Sequence, residues 1–304
     1  LKIIKNYKSS DKFRVLIKSN LNPKGYLRYG ELILKGRSKQ EILISTYLCH
    51  PCLANNELSG PIVSMSLIEH FSKIQKLNKT IRFIFIAETI GAIAYINKNL
   101  SYLKKYVIGG YNLTCIGDDR THSCMFTKNK NSLSNRALVE TYKKFKIKYK
   151  RYSFLYAGSD ERQFNSPGID LPIAAIFRSM YGTYPEYHTS LDDFNVVTLK
   201  GLKGGFKVAK NAVQIINKKI IPKSKILCEP HMSKRNLYPT LSKWNQGGFK
   251  SKRDSIGQYM NFLQNVDGKN DLDEISVLIN ISPKLAKNIY YKLKKNNLII
   301  YNNN

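Results

Sequence analysis

The segment ILISTYLCHPCLANNELSG, residues 42–60, decides the fold of this chain. Its first part, Ile42–Leu48, has an apolar residue at almost every second position or more often, a pattern typical of a buried strand. Pro51 ends the pattern, so His50 lies at the carboxyl end of the strand. Ligands collect at that edge in open α/β sheets. The segment therefore predicts a buried strand that leads into a polar turn with a histidine of metal-ligand type.

The sequence on either side of this segment alternates between strand and helix patterns. Apolar residues recur at helical spacing after Gly60, and Ile81–Ala87 again has the pattern of a buried strand. Strand, helix and strand in this order imply a parallel crossover, which places the chain in the α/β class. The remaining patterns predict strands at Phe13–Ile17, Tyr26–Leu34, Val107–Leu113 and Leu171–Phe177, and helices at Asn135–Phe145 and Leu199–Asn217.

The chain divides into two predicted domains joined by an irregular segment. Residues 1–221 form the α/β domain, of which about 8–40 are a strand-rich insertion. We expect sequence before Leu1 to be missing, because the chain does not begin with Met. Residues 222–250 are rich in Pro, Ser, Lys and Gly, which is typical of a connecting segment. Residues 251–304 predict three short helices and a final strand, the order of a winged helix.

Composition limits the partners that we expect. The formal net charge is +29, but the excess Lys residues are spread along the whole chain, so nucleic acid is a less favoured partner that stays open. No window approaches the roughly 18 continuous apolar residues of a membrane span, so we expect no membrane partner. Five cysteines without a paired framework indicate buried thiols in a reduced compartment, hence a cytoplasmic location. They are Cys49, Cys52, Cys115, Cys124 and Cys228.

Four segments carry the residue types of a hydrolytic metal centre. The first two contain His50 and Glu88, and each directly follows a buried strand. Their side chains are therefore expected to converge on one rim of the sheet. The third segment is the polar stretch 158–163, and the fourth is the turn-rich stretch 184–190, which contains a second histidine. Two histidines in such contexts indicate one site.

The order of these motifs resembles that of zinc aminopeptidases with a co-catalytic two-metal site. A closer resemblance is to an aminopeptidase-like bacterial family, largely uncharacterised, often encoded among polysaccharide-biosynthesis genes and carrying a C-terminal winged helix. That resemblance rests on the motifs at 158–163 and 184–190 and on Cys228–Pro230, and it covers almost the entire chain. It implies a zinc-aminopeptidase-like mixed sheet with helices on both faces, plus a small winged-helix domain.

The resemblance also implies roles for individual residues. His50 would bind one metal ion and His188 the other, and Glu88 falls at the position of the general base. Three positions that hold carboxylates in two-metal enzymes are neutral here: Asn56 at that of the bridging Asp, Thr89, and Thr114.

These neutral residues favour one zinc ion over two. Carboxylates offset the charge of a dication pair, and two zinc ions ~3.5–4 Å apart repel strongly without them. We therefore expect a single ion held by His50, His188 and a carboxylate from Glu57 or Asp160, with Asn56 also near the metal. The other interpretation is a degenerate site that binds no metal.

Several residues keep two interpretations. Glu88 could cap the following helix, and Asp160, Glu161 and Arg162 could form an ion-pair cluster. Arg178 could bind a substrate carboxylate or pair with a neighbouring acid, Glu186. The predicted substrate contacts are Arg162, Arg178, Glu186 and Tyr187.

The functional prediction is a zinc-dependent aminopeptidase-like hydrolase that cleaves a peptide or amide bond of a small substrate, in the context of polysaccharide biosynthesis. The alternative is a catalytically degenerate binding or regulatory protein. In that case the basic helix at 283–293, with Leu285, Ile289 and Leu293 on one face, could contact DNA or a protein partner. The C-terminal module as a whole could equally pack on the α/β domain or on a second subunit of a homo-oligomer.

Overall fold

A seven-stranded mixed sheet forms the centre of the first domain in the computed structural model, which describes residues 7–8, 10–50, 52–237 and 255–300. The strands are β1 (Gly30–Leu34), β2 (Ser38–Tyr47), β3 (Lys79–Ile86), β4 (Val107–Leu113), β5 (Ser123–Met125), β6 (Lys150–Tyr152) and β7 (Ile173–Phe177). Their spatial order is β1-β3-β2-β4-β7-β5-β6. The four central strands are parallel, whereas β1 and β5 run antiparallel to β3 and β7.

Helices cover both faces of this sheet, because the side chains of the central strands point alternately to the two sides. Ile42 and Ile44 of β2 join the core under three helices on one face, while Leu43 joins the core under two helices on the other. The first group is α1 (Ser59–Ser72), α3 (Leu133–Lys144) and α5 (Leu199–Lys218); the second is α2 (Ile90–Tyr106) and α4 (Asp160–Phe164). The predicted mixed α/β sheet with helices on both faces is confirmed.

The start of α1 lies very close to the sheet. A Cβ atom at Gly60 would be 2.4 Å from the carbonyl oxygen of Leu113 and from the hydroxyl of Thr46. Only glycine fits this approach, so the Leu-Ser-Gly end of the first motif fixes α1 against the carboxyl ends of β2 and β4.

The largest difference from the sequence prediction lies before β2. The predicted strand Phe13–Ile17 is not formed, and only Gly30–Leu34 of the predicted strand Tyr26–Leu34 is present. A strand needs a partner that accepts its backbone hydrogen bonds, and the described part of 10–29 has none. Conversely, the helix expected after Glu88 has no predicted bounds, although Ala92, Tyr95 and Ile96 on the buried side of α2 follow helical spacing.

The second domain is a winged helix, as predicted. It contains α6 (Ser255–Gln264), α7 (Leu272–Leu278), α8 (Pro283–Lys295) and β9 (Ile299–Ile300), and β9 pairs with β8 (Lys223–Ser224). The predicted connecting segment 222–250 therefore supplies a strand to this domain. Met232 and Leu237 also pack in its core, and residues 238–250 lie outside the described part of the chain.

The apolar side of α8 packs within its own domain. Ile289 and Leu293 are buried in the winged-helix core, and Leu285 packs against it, so this face belongs to the core of its own domain. The winged-helix domain contacts the α/β domain through ion pairs: Arg136 with Asp271 and Glu274, and Lys219 with Asp273. Within the described ranges, no helix combines the length and apolar character needed to cross a bilayer.

Candidate active site

The carboxyl ends of β2 and β3 bring the first two motifs together. His50 follows β2, Glu88 follows β3, and Nε2 of His50 lies 3.9 Å from Oε2 of Glu88. His188 approaches from the loop before α5, with its ring centroid 5.0 Å from that of His50. Tyr187 stacks on His188 with 4.0 Å between ring centroids. Both predicted histidines and the predicted general base therefore share one edge of the sheet.

Glu57 positions the backbone that carries the first histidine. Its Oε1 accepts the N–H of Cys49 at 2.6 Å, and its Oε2 accepts the N–H of His50 at 2.9 Å. Glu57 lies in a π-helical turn, Ala54–Leu58, directly before α1. Burial raises the pKa of this carboxyl, and the two N–H donors oppose the rise. Both carboxylate oxygens are therefore engaged in holding the strand end.

Asp192 fixes the start of this π-helical turn, and the sequence analysis did not single it out. Its carboxylate accepts the N–H of Asn55 at 2.6 Å, the N–H of Asn56 at 3.0 Å and the hydroxyl of Tyr184 at 2.9 Å. A carboxylate there satisfies backbone donors that have no partner inside the turn. The pair Asp192 and Asp193 was visible in the sequence, but nothing in it showed which carboxylate points inward.

A neutral hydrogen-bond network occupies positions where the resemblance implies carboxylates. The hydroxyl of Tyr47 donates to Oδ1 of Asn56 at 3.2 Å and shares a hydrogen bond with the hydroxyl of Thr114. The thiol of Cys115 also donates to Oδ1 of Asn56, at 3.5 Å. All four residues are buried. Nothing in this network supplies negative charge for a second dication.

Glu88 does not cap α2. Its Oε1 accepts the hydroxyl of Ser159 at 2.6 Å, whereas the N–H of Thr89 at the helix start donates to Oδ1 of Asp160 at 2.8 Å. The capping interpretation is therefore wrong. Burial raises the pKa of the Glu88 carboxyl, while the Ser159 hydroxyl and nearby His50 lower it. Its Oε2 faces the histidine pair.

Asp160 is buried beside the start of α2. Its Oδ2 is buried and has no hydrogen-bond partner among the described residues. Burial raises the pKa of Asp160 to about 8, and the N–H of Thr89 opposes the rise. The predicted ion-pair cluster does not form within the described ranges: Arg162 is exposed and donates to a carbonyl at 3.4 Å, and Glu161 accepts from uncharged donors.

Two residues of the site adopt backbone angles that are unfavourable for their type. His188 has a φ of 56°, and Thr89, a β-branched residue, has a φ of 59°. Such strained positions cost about 1–3 kcal/mol each and cluster at functional sites. Both lie where the side chains of the site converge.

Cys49 is exposed at the site, although a buried thiol was expected. Its Sγ lies 3.0 Å from Nδ1 of His50, and one ligand atom each from Cys49, His50 and Glu88 lie within 4.8 Å of one another. Partial burial and the carboxylates of Glu57 and Glu88 raise the pKa of this thiol to about 11, which disfavours a free thiolate nucleophile at neutral pH. In the sequence, the feature that could have identified Cys49 as a site residue is its position directly before His50. Of the other cysteines, Cys52 and Cys228 are exposed, and Cys115 and Cys124 are buried.

Two of the remaining predicted substrate contacts, Glu186 and Arg178, are hydrogen-bonded to other residues of the chain. Glu186, next to Tyr187, is bound through both carboxylate oxygens by Arg120 at 2.8 Å. Arg178 is buried, and its Nε donates to the carbonyl of Asp118 at 2.7 Å. The interpretation that Arg178 pairs with Glu186 is therefore wrong, and the Arg178 guanidinium is used inside the fold.

Comparison with known proteins agrees with this architecture. A family model described as "Domain of unknown function (DUF4910)" matches residues 18–219, and a winged helix-turn-helix model matches residues 220–301. A protein from Clostridium acetobutylicum, named as a proposed polysaccharide biosynthesis protein with an aminopeptidase-like domain, is 33% identical over 267 residues. The match covers 88% of this chain and 59% of that protein, so the chain spans less than two thirds of its relative.

Solved structures show the same fold. The crystal structure of a proposed peptidase from Clostridium acetobutylicum has a TM-score of 0.62 and 29% identity, over 90% of this chain and 60% of that one. A zinc aminopeptidase from Bacillus subtilis has a TM-score of 0.54 and 18% identity, over 63% of this chain and 50% of that one. The fold is thus aminopeptidase-like with a C-terminal winged helix. Since the first family model spans more than half of the sequence, the chain belongs to the family described as domain of unknown function DUF4910.

Proposed function

We propose that this chain is a hydrolase of the metallo-aminopeptidase type that cleaves a peptide or amide bond of a small substrate. The observation that carries the proposal is the convergence of His50, His188 and Glu88 at the carboxyl edge of an aminopeptidase-like sheet. In an α/β sheet this edge is where substrates bind.

The donor set at this edge fits one zinc ion. His50 and His188 offer ring nitrogens on two imidazoles whose centroids are 5.0 Å apart, and zinc binds imidazole nitrogen at about 2.0–2.1 Å. When bound, the ion would polarise the substrate carbonyl and lower the pKa of a water molecule toward ~7.

Three residues predicted near the metal are left out of the proposed ligand set. Both oxygens of Glu57 accept backbone N–H groups. Oδ1 of Asn56 accepts from a tyrosine and a thiol, which leaves its Nδ2, a donor. Asp160 is fully buried and bonded to the start of α2. In our proposal these residues support the structure of the site and do not bind the metal.

Glu88 would accept the proton of the attacking water. Its raised pKa, caused by burial, makes it a stronger base, and the Ser159 hydroxyl on Oε1 leaves Oε2 directed at the histidines. Tyr187, stacked on His188, would hold that imidazole in place and form one wall for the substrate.

The substrate class is a small molecule or peptide with an amide bond. A role in polysaccharide biosynthesis is supported by the name of the Clostridium acetobutylicum relative, of which this chain spans 59%. The activity of the whole protein, its cytoplasmic location and its assembly into a homo-oligomer stay predictions.

A non-catalytic binding or regulatory protein is the second candidate. The neutral network of Tyr47, Asn56 and Thr114 favours it, because it stands where the resemblance implies carboxylate ligands. The two candidates differ in whether the site takes up a metal ion.

Metal analysis of the untagged protein after zinc reconstitution separates these candidates. We expect about one zinc per chain, since the site offers charge compensation for one dication only. His50→Ala and His188→Ala should each lose the ion, while a His231→Ala control, at an exposed histidine outside the site, should keep it. A stoichiometry near zero in the unmodified chain would support the binding protein, and one near two would refute the charge argument.

A further inference from the structure

We propose that the sulfur of Cys49 is the third protein ligand of this ion, alongside His50 and His188. The inference deepens the proposed function and rests on it, because it concerns the same metal site. It assigns to a thiolate the negative charge that carboxylates carry in two-metal aminopeptidases.

The geometry places the sulfur within the donor cluster. Sγ of Cys49 lies 3.0 Å from Nδ1 of His50, and the ligand atoms of Cys49, His50 and Glu88 lie within 4.8 Å of one another. Ligands of one tetrahedral zinc ion, at about 2.3 Å for sulfur and 2.0–2.1 Å for nitrogen, fall within such mutual distances. Among the described residues, Cys49, His50 and Glu88 are the group of three potential ligands that meets that condition, and His188 stands next to it with its ring centroid 5.0 Å from that of His50.

Of the other anionic groups nearby, Glu57 is hydrogen-bonded through both carboxylate oxygens and Asp160 through one. Glu57 accepts the N–H groups of Cys49 and His50 with its two oxygens, so it holds the sulfur and the imidazole in register. Oδ1 of Asp160 is bonded to the start of α2. The hydrogen bonds of Glu57 thus fix the backbone of Cys49 and His50, and its Oε2 also lies 3.5 Å from Nδ1 of His50.

This assignment leaves Glu88 free for proton transfer. Catalytic zinc sites have three protein ligands and one open position, and sites that combine cysteine with histidine occur among them. With Cys49, His50 and His188 as the three ligands, Oε2 of Glu88, 3.9 Å from Nε2 of His50, would be available to take a proton from water. On binding, the Cys49 thiol releases its proton to solvent and its sulfur lone pair forms the metal bond.

Cobalt substitution tests the inference without measuring activity. Co²⁺ added to the metal-free chain should give visible d–d absorption together with a near-ultraviolet thiolate-to-metal charge-transfer band. Cys49→Ser should lose the charge-transfer band and bind Co²⁺ more weakly, by more than the about 10–100-fold that losing an outer-shell partner costs. Cys52→Ser, at an exposed thiol outside the cluster, should keep both the band and the affinity.

The outcomes separate the inference from the proposed function. Visible Co²⁺ absorption without the charge-transfer band would overturn the role of Cys49 and leave a histidine-based metal site standing. Absence of Co²⁺ uptake would overturn both. Because the spectrum of the unmodified chain alone reports whether sulfur is bound, the test holds even if Cys49→Ser folds poorly.

Discussion

Glu88 is the residue to which we assign proton transfer in the proposed function. Burial raises its pKa, the Ser159 hydroxyl restrains that rise from one oxygen, and the other oxygen faces His50 at 3.9 Å. A base is most effective when its pKa lies near the working pH, so a raised carboxyl pKa suits this role.

We expect Glu88→Gln to lower turnover by ~10²–10⁴-fold, the range of a general acid–base group, with fold and metal content unchanged. Gln can accept the Ser159 hydrogen bond but cannot take a proton. The assay is a panel of aminoacyl amides and N-acylated amino sugars. Glu69→Gln, at an exposed acid paired with Lys73 on α1, is the matched control and should retain activity. Equal turnover in Glu88→Gln and the unmodified chain would remove Glu88 from the mechanism.

At the level of secondary structure, the π-helical turn Ala54–Leu58 fixes the position of the backbone that carries His50. Asp192 holds the start of this turn through two backbone N–H groups, and Glu57 within the turn holds Cys49 and His50. A loop carboxylate therefore controls the position of the first histidine through one intermediate residue.

Asp192→Ala should destabilise the chain by about 0.5–2 kcal/mol or more, because it removes a cap and leaves buried donors without an acceptor. It should also weaken zinc binding, since Glu57 loses its fixed position. Denaturant unfolding and zinc titration measure the two effects. Asp193→Ala is the control, because among the described residues that carboxylate bonds within its own turn, to Asn195. If both variants bind zinc equally, Asp192 does not position the site.

For the molecule as a whole, the net charge and the winged-helix domain make nucleic acid a binding partner to test. Lys284 and Lys287 are exposed on α8, while its apolar side is buried within the winged-helix domain. The excess of Lys extends over the entire sequence, with a net charge of +29. Such a distribution favours weak, non-selective contacts with phosphates.

We therefore expect the full chain to bind duplex DNA only in the ~10⁻⁴–10⁻⁶ M range at physiological salt, without preference among sequences. Lys284→Ala with Lys287→Ala should weaken binding equally for all sequences and reduce the salt dependence. Fluorescence anisotropy at several salt concentrations measures this. A sequence-selective complex tighter than ~10⁻⁸ M that the double variant abolishes would make regulation the better account of the chain.

Local sequence patterns were enough to specify the elements with strong periodicity and the residues next to them. The buried strands around Ile42–Leu48 and Ile81–Ala87, and the position of His50 and Glu88 at their ends, follow from local patterns, because a parallel strand must be apolar on both faces. The resemblance added the aminopeptidase-like fold and the winged helix.

Which polar side chains face the site depends on contacts between distant parts of the chain. Asp192 lies far from Asn55 in the sequence yet bonds to its N–H, and Asp160 rather than Glu88 meets the start of α2. The predicted strand Phe13–Ile17 is also not formed, because no neighbouring strand pairs with it among the described residues. Strand pairing and buried hydrogen bonds depend on partners brought together by folding, so local periodicity does not specify them.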